Sequence, residues 1–183
     1  APYSRALRDA ETGAVRFGEY AEEDLGRRMI GKIDPATRGL QVWVKEVYDC
    51  RGNRLPLETP GTNMKIYWAG DLSTQVTDGR DYLHGPKCGA VNDLTHNNRT
   101  KGNPCLVADI FGDFREELLL RLEDDSAIRI YTSTDLTHHK LFTLLHDPQY
   151  RCGVAWQNNC YNQPGYPSFY YASDMDFANV LPQ

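Results

Sequence analysis

The chain has 183 residues, of which 40% are hydrophobic and 25% are charged. These proportions are ordinary for a folded domain and exclude a disordered or collagen-like chain. The sequence contains no run of 18 apolar residues and therefore predicts no transmembrane helix. Because the formal net charge is -5 and the charges are interspersed, we expect neither nucleic acid nor a membrane as a partner.

The hydrophobic pattern along the chain predicts strands rather than helices. Alternating β-branched and aromatic residues are typical of strands and place them at 40–47, 63–68, 118–122, 127–132, 140–145 and 153–157. Clusters of Asp, Gly and Asn predict hairpin turns at 9–13, 49–53, 77–80 and 123–126. We expect a loop at 19–28 and no amphipathic helix longer than two turns. The predicted fold class is all-β.

A short acidic loop precedes a strand at three places in the chain. The aspartates of these loops, Asp34, Asp71 and Asp109, are 37 and 38 residues apart. A period of roughly 40 residues in an all-β chain is typical of β-propeller blades. A β-sandwich with similar strand spacing is the alternative. Read as a propeller, residues 1–183 form a single region of about four blades.

Five cysteines, at positions 50, 88, 105, 152 and 160, are spread along the chain. No Cys-x-x-Cys pair occurs, which argues against a structural zinc site or a thioredoxin-like motif. Scattered cysteines fit an oxidising compartment and allow up to two disulfides. The pair that forms most easily by sequence separation is Cys152 with Cys160.

A loop with three carboxylates leads into the strand predicted at 118–122. It carries Asp109, Asp113 and Glu117 around a glycine. Calcium takes six to eight oxygen ligands, and such a loop can offer both carboxylates and backbone carbonyls. We therefore predict a Ca2+ site at these three residues. The alternative is a surface acidic turn whose charge is compensated by Arg115.

Two long polar segments, 79–105 and 158–168, interrupt the strand pattern. Long loops on a β scaffold are where functional sites usually lie. Within the first, Lys101 can serve as a base if burial or a neighbouring cation disfavours its charged form; otherwise it is an ordinary solvated lysine. At the start of the second, the amides and aromatics of 156–164 resemble a sugar-binding edge, with a turn stabilised by side-chain amides as the alternative.

Several runs combine into a more specific pattern. They are ADIFGDFREE (108–117), RIYT (129–132), LFTLLHDP (141–148), WQN (156–158) and YNQP (161–164), preceded by Gly26-Arg27, 33–35 and 68–79. In these runs and in their order, the chain resembles the family-eleven polysaccharide lyases, the rhamnogalacturonan lyases, over nearly its whole length. The resemblance implies a secreted, pectin-degrading enzyme built as a calcium-rich, eight-bladed β-propeller. This chain resembles its C-terminal part, so it either closes a smaller ring or belongs to a longer one.

The resemblance also implies a reaction. Such lyases cleave the rhamnose–galacturonate backbone of rhamnogalacturonan I by β-elimination, which removes the C5 proton of galacturonate. The adjacent carboxylate must be neutralised by calcium or an arginine. A base then removes the C5 proton, and an acid can protonate the departing C4 oxygen. By resemblance, Lys101 is the base, Tyr161 is its partner and Arg27 clamps the carboxylate, although which of the first two takes the proton stays open. Expected substrate-binding residues in the same segments are Asn98, Thr100 and Asn162.

The chain departs from the family pattern at several positions. The family usually has acids where Lys32, Gln41 and Gln75 stand, glycine where Arg28 stands, and small residues where Cys105 and Cys160 stand. Each lost acid weakens a calcium or packing site. We therefore expect the loops of Asp34 and Asp71 to be structural turns without metal.

Three functions follow from the sequence. The first is the catalytic region of a rhamnogalacturonan lyase. The second, favoured by the lost acids, is a non-catalytic β module that binds pectin. The third is a fragment that is inactive without its missing blades and associates with the missing half of the propeller.

Overall fold

The computed structural model describes residues 4–77, 94–95, 97, 102–159 and 163–179. Within these ranges the chain forms eleven strands, one α-helix and two short 3-10 helices. The strands are β1 (Ser4–Arg8), β2 (Val15–Tyr20), β3 (Met29–Gly31), β4 (Gln41–Trp43), β5 (Val47–Tyr48), β6 (Met64–Ile66), β7 (Gln75–Thr77), β8 (Leu94–Thr95), β9 (Leu106–Ala108), β10 (Glu117–Leu122) and β11 (Ile128–Tyr131). Helix α1 spans Pro148–Trp156, and the 3-10 helices span Leu144–His146 and Phe177–Asn179.

The described strands form four small antiparallel sheets. Strand β1 pairs with β2, β6 pairs with β7, and β4 lies between β3 and β5. In the largest sheet, β10 pairs with β11, β8 and β9. No pairing among the described strands joins the four sheets into a closed barrel. The all-β prediction is confirmed in its main feature.

The core follows the alternation of side chains along the central strand β10. Leu118 and Leu120 are fully buried against Met64 and Ile66 of β6 and Val107 of β9, so two neighbouring sheets share one apolar cluster. Complete burial of a leucine stabilises the fold by about 1.5–3 kcal/mol. Two further clusters lie beside it. One joins Met29, Trp43 and Val47 of the β3–β5 sheet, and the other joins Tyr67, Leu72, Phe114, Leu144, Tyr150, Tyr171 and Met175.

Most predicted strands and turns are confirmed. The segments 63–68, 118–122 and 127–132 contain β6, β10 and β11. The turns at 9–13 and 123–126 connect paired strands, and the turn at 49–53 follows β5. The predicted strand 40–47 is divided into β4 and β5, because residues 44–46 turn back on themselves. Only Thr77 of the turn predicted at 77–80 lies within the described residues.

The strands predicted at 140–145 and 153–157 are wrong. Residues 148–156 form α1, a helix of nine residues, slightly longer than the two turns expected at most. Asp147 is its N-cap, since its carboxylate accepts a hydrogen bond from the Tyr150 N–H at 2.9 Å, and Pro148 occupies the first turn. Both residue types favour a helix start. The Asp-Pro pair was therefore the sequence signal for this helix.

The predicted repeat is real, but its equivalent positions differ from those expected. Gln41, Gln75 and Glu117 each begin a returning strand. A side-chain oxygen of each residue accepts two consecutive backbone N–H groups of the preceding loop, at 2.9–3.1 Å. These anchors are 34 and 42 residues apart in the sequence. The repeat is therefore aligned on the strand-starting Gln or Glu rather than on Asp34, Asp71 and Asp109.

This contact explains how the chain tolerates glutamine at two of the three anchors. A glutamine oxygen accepts N–H hydrogen bonds as a carboxylate oxygen does, although a charged acceptor bonds more strongly. Gln41 and Gln75 therefore hold their turns without a negative charge. The prediction that these two loops are structural turns agrees with this geometry.

Three of the five cysteines lie in the described residues. Cys50, Cys105 and Cys152 are free thiols. Cys152 lies exposed on α1 without a disulfide, and Cys160, its expected partner, lies outside the described residues. No helix in the described ranges has both the length and the apolar character that crossing a bilayer requires.

Candidate functional site

Asp109, the first predicted calcium ligand, is buried directly after β9. One carboxylate oxygen accepts the Asp113 N–H at 2.9 Å. The other accepts the Phe114 N–H at 3.2 Å, the Thr143 hydroxyl at 3.0 Å and the Leu144 N–H at 2.7 Å. Burial raises the pKa of Asp109 in spite of these hydrogen bonds. The carboxylate is thus surrounded by donors and ties three parts of the chain together.

The other two predicted ligands also bind donors. Glu117 accepts the two N–H groups of its loop on one oxygen and the Thr132 hydroxyl on the other at 3.0 Å, and burial raises its pKa. Asp113 pairs with the Arg115 guanidinium, whose Nε lies 3.1 Å away. The described residues contain no group of three or more His, Cys, Asp or Glu side chains able to hold a metal ion.

These hydrogen bonds do not use every lone pair of the three carboxylates, so the Ca2+ site at these residues stays a prediction. Calcium needs several oxygen lone pairs directed at one point, whereas the oxygens of Asp109, Asp113 and Glu117 are directed at N–H and O–H groups. The pairing of Asp113 with Arg115 agrees with the alternative of an acidic turn whose charge Arg115 compensates. The resulting network fixes the loop to β11 and to the segment before α1.

Beneath this loop lies a buried ion pair that the sequence patterns did not reveal. The Lys65 ammonium is 3.2 and 3.0 Å from the two carboxylate oxygens of Glu116, and both side chains have 0% exposure. Glu116 also accepts the Tyr67 N–H at 2.8 Å and the Tyr150 hydroxyl at 2.7 Å. Burial lowers the pKa of Lys65 to about 8. The pair joins β6, the loop before β10, and α1.

Two sequence features could have pointed to this pair. Adjacent side chains on a strand face opposite sides, so at least one of Glu116 and Glu117, at and just before the start of β10, was expected to be buried, and in the structure both are. A lysine also stands within the apolar run 64–68. A buried carboxylate needs a cationic or hydrogen-bonding partner. The missing information was the spatial proximity of residues 51 positions apart.

The predicted catalytic pair lies outside the described residues. Neither Lys101 nor Tyr161 is described, and the same holds for Asn98, Thr100 and Asn162. Described residues flank both segments, however. Asn97 and Asn103 exchange two backbone hydrogen bonds of 2.7 and 3.0 Å, which pair the described flanks of the segment that contains Lys101.

Asn158, which lies shortly before Tyr161 in the sequence, contacts both of these flanks. Its side-chain oxygen accepts a hydrogen bond from the Asn97 amide at 3.2 Å. Its own amide donates to the carbonyls of Pro104 at 3.2 Å and of Cys105. Because Asn158 precedes Tyr161 by three residues, the described flanks of the two candidate catalytic segments are in direct contact.

Gln157 anchors the same region to the central sheet. Its side-chain oxygen accepts the Val107 N–H at 2.8 Å and its amide donates to the Val107 carbonyl at 2.7 Å, in the manner of a paired strand. The amides of 157 and 158 therefore bind the protein's own backbone, as the alternative of a turn stabilised by side-chain amides predicted, although the turn follows α1 and not the strand expected there. Trp156, next to them, is 68% exposed.

Arg27, the predicted carboxylate clamp, lies between the β3–β5 sheet and the β6–β7 sheet, away from the contact of Asn97 with Asn158 in the sequence. It is partly buried just before β3 and donates from Nη1 to the Asn63 carbonyl at 3.0 Å, next to the start of β6. The segment after residue 162 returns to the same strand, because the Tyr166 hydroxyl donates to the Ile30 carbonyl at 3.2 Å. The chain that leaves the Tyr161 segment therefore contacts β3 close to Arg27.

Comparisons with known proteins agree with the resemblance found in the sequence. The family model "Rhamnogalacturonan lyase family 11, C-terminal domain" matches residues 1–180. The rhamnogalacturonan endolyase YesW of Bacillus subtilis (strain 168) is 43% identical over 184 residues, which cover 96% of this chain and 30% of YesW. The rhamnogalacturonan exolyase YesX of the same organism is 41% identical, with 95% of this chain and 33% of YesX covered.

Solved structures show the same relationship in three dimensions. The crystal structure of YesW superposes with a TM-score of 0.84 over 93% of this chain and 31% of YesW. The Bacillus licheniformis rhamnogalacturonan lyase PL11 is 41% identical and gives a TM-score of 0.84 over the same shares. The chain spans about a third of the length of these relatives. By sequence and by fold, the chain belongs to the C-terminal domain family of the family 11 rhamnogalacturonan lyases.

Proposed function

We propose that this chain supplies the base and acid of a lyase that cleaves rhamnogalacturonan I by β-elimination. The observation that carries the proposal is the hydrogen bond between Asn97 and Asn158, which brings together the flanks of the Lys101 and Tyr161 segments. Both relatives are named as lyases of rhamnogalacturonan, one endo-acting and one exo-acting. The proposal leaves the choice between endo and exo action open.

The chemistry assigns a role to each predicted residue. Removing the C5 proton of galacturonate places negative charge beside a carboxylate, and a guanidinium bound to that carboxylate stabilises the charge. Arg27 is proposed for this contact. Of Lys101 and Tyr161, one then removes the C5 proton as the base and the other protonates the leaving C4 oxygen as the acid. Asn98, Thr100 and Asn162 are proposed to bind sugar hydroxyls through amide and hydroxyl groups.

The wider setting of the site is also part of the proposal. We propose that the four sheets are blades of a β-propeller, that the protein is secreted, and that the remaining blades complete the substrate groove. Calcium assistance stays a prediction for the whole protein. The mechanism proposed here uses Arg27 rather than a metal, because the carboxylates of the 109–117 loop bind donors.

The test measures the unsaturated uronide product by its ultraviolet absorbance during incubation with rhamnogalacturonan I. It uses the chain by itself and a chimera in which the chain replaces the matching segment of YesW. We expect Lys101→Ala and Tyr161→Phe to abolish product formation, and Lys140→Ala, at an exposed lysine far along the sequence, to leave it unchanged.

Each outcome distinguishes one function from the others. Product from the chain alone supports a complete catalytic region, whereas product from the chimera alone supports a part that needs its missing blades. Binding of pectin without product in either form, unaffected by Lys101→Ala, contradicts the lyase proposal and favours a binding module.

A further inference from the structure

The Lys32 ammonium lies in a cage of oxygen atoms. Lys32 follows β3, and its side chain is fully buried. The Nζ atom is 2.5 Å from the Thr37 carbonyl oxygen, 3.4 Å from the Gly39 carbonyl oxygen and 3.1 Å from a carboxylate oxygen of Asp174. An ammonium has three N–H donors, so each donor has one oxygen to meet. Lys32 is thus a buried ammonium with a full set of partners, and these partners, two carbonyls and a carboxylate, are oxygen types that also bind hard cations.

The cage is held in place by contacts that do not involve Lys32. The Gln41 amide donates to the Gly39 carbonyl at 2.9 Å. The Gly39 N–H and the Tyr170 hydroxyl donate to the two oxygens of Asp174 at 2.9 and 2.6 Å. Each oxygen of Asp174 therefore has a donor other than Lys32, which orients the carboxylate, although its side chain is 32% exposed.

The equivalent position in another repeat has the opposite charge. Lys32 and Asp109 each immediately precede the two N–H groups that are bound by the strand-starting Gln41 or Glu117. Around Asp109 the turn presents N–H groups, whereas around Lys32 it presents carbonyl groups. At each of the two positions, the backbone groups around the side chain therefore have the polarity that its charge requires.

We infer that Thr37 O, Gly39 O and the Asp174 carboxylate form a cation site of the fold that is filled by the chain's own Lys32. The turn between β3 and β4 is then ordered by a covalently tethered cation and needs no free metal ion. Backbone carbonyls together with carboxylates are the ligands that Ca2+ prefers. When residue 32 supplies a carboxylate in place of the ammonium, the same cage takes a divalent cation. This inference does not depend on lyase activity.

The test is the thermal unfolding midpoint of the 183-residue chain in EDTA and in calcium chloride. We expect Lys32→Asp to lower the midpoint in EDTA and to gain a calcium-dependent rise that the unsubstituted chain lacks. At a calcium concentration about 100 times the dissociation constant, the additional rise should be about 5–10 °C. Lys32→Met, which has neither charge nor ligand, should lower the midpoint in EDTA without gaining the calcium response.

Two controls separate this site from other effects of calcium. Lys45→Asp makes the same substitution at an exposed lysine and should add no calcium response. Asp174→Asn, combined with Lys32→Asp, removes a charged ligand of the cage and should abolish most of the gained response. The inference is overturned if Lys32→Met is as stable as the unsubstituted chain. It is equally overturned if Lys32→Asp responds to calcium no more than Lys45→Asp does, or stays unfolded in calcium.

Discussion

Truncating Glu116 should destabilise the chain strongly, because it leaves a buried ammonium without its counterion. The pair of Lys65 and Glu116 is fully buried, and Glu116 also accepts hydrogen bonds from the Tyr67 N–H and the Tyr150 hydroxyl. Removing one partner of a buried pair costs about 3–5 kcal/mol. Each hydrogen-bonding group left unsatisfied costs about 1–3 kcal/mol in isolation. As these costs overlap, we expect Glu116→Ala to lower the free energy of unfolding by about 4 kcal/mol.

The assay is urea denaturation of the single variants and the double variant. Lys65→Met should cost less than Glu116→Ala, because Glu116 then keeps two donors. Glu116→Gln is measured as a further single variant. In Lys65→Met/Glu116→Gln neither charge remains, so its loss should be smaller than the sum of the losses of Lys65→Met and Glu116→Gln. Glu123→Ala, at an exposed position after the same strand, should change the free energy by no more than about 0.5 kcal/mol. A loss below about 1 kcal/mol for Glu116→Ala, or strictly additive losses, would refute this account of the pair.

Three further predictions follow from the same contacts. Burial lowers the pKa of Lys65 from 10.5 to about 8, so between pH 8 and 10 the unfolded chain binds more protons than the folded chain. The free energy of unfolding should then rise with pH in this window relative to Lys65→Met, and equal slopes for the two proteins would contradict the assignment. Asp147→Ala removes the N-cap contact to the Tyr150 N–H and the contacts of the second oxygen to the Ser168 N–H and hydroxyl, and should cost at least about 1–2 kcal/mol in the same denaturation assay. Asp147→Asn keeps the capping oxygen but loses the acceptor for Ser168, and should recover only part of the loss. Asn158→Ala should speed amide hydrogen exchange at Asn97 and Asn103, whose loop it anchors, whereas Asn159→Ala should not, and unchanged exchange in Asn158→Ala would show that the loop is held by other contacts.

Local patterns in the sequence were sufficient for five of the eleven described strands, β4, β5, β6, β10 and β11. The strand β10 and its partner β11 were predictable, because alternating apolar residues flank a turn rich in Asp. Helix α1 was missed, although its Asp147 cap and Pro148 were visible in the sequence. Tyr150 and Val154 gave this segment an apolar character that was also compatible with a strand. The apolar pattern was compatible with a strand or a helix, and only the Asp147-Pro148 helix start distinguishes the two.

The candidate site shows a different limit of prediction. The segments carrying Lys101 and Tyr161 were identified from composition and family resemblance, but the contact between their flanks depends on Asn97 and Asn158, which are 61 residues apart. Carboxylate spacing around Asp109 predicted a metal site. Spacing alone cannot show whether the oxygens face a cation or N–H groups, because that depends on the backbone of a second segment, at Thr143 and Leu144.

The sequence by itself determined the family, the all-β class and the existence of a repeated loop, because each of these is expressed in neighbouring residues and in their order. The tertiary structure decided which residues of the repeat are equivalent, and therefore that Lys32 and Asp109 stand at the same place with opposite charges. It also decided that Lys65 neutralises Glu116. Buried charges are stable only with partners, and these partners come from segments far apart in the chain.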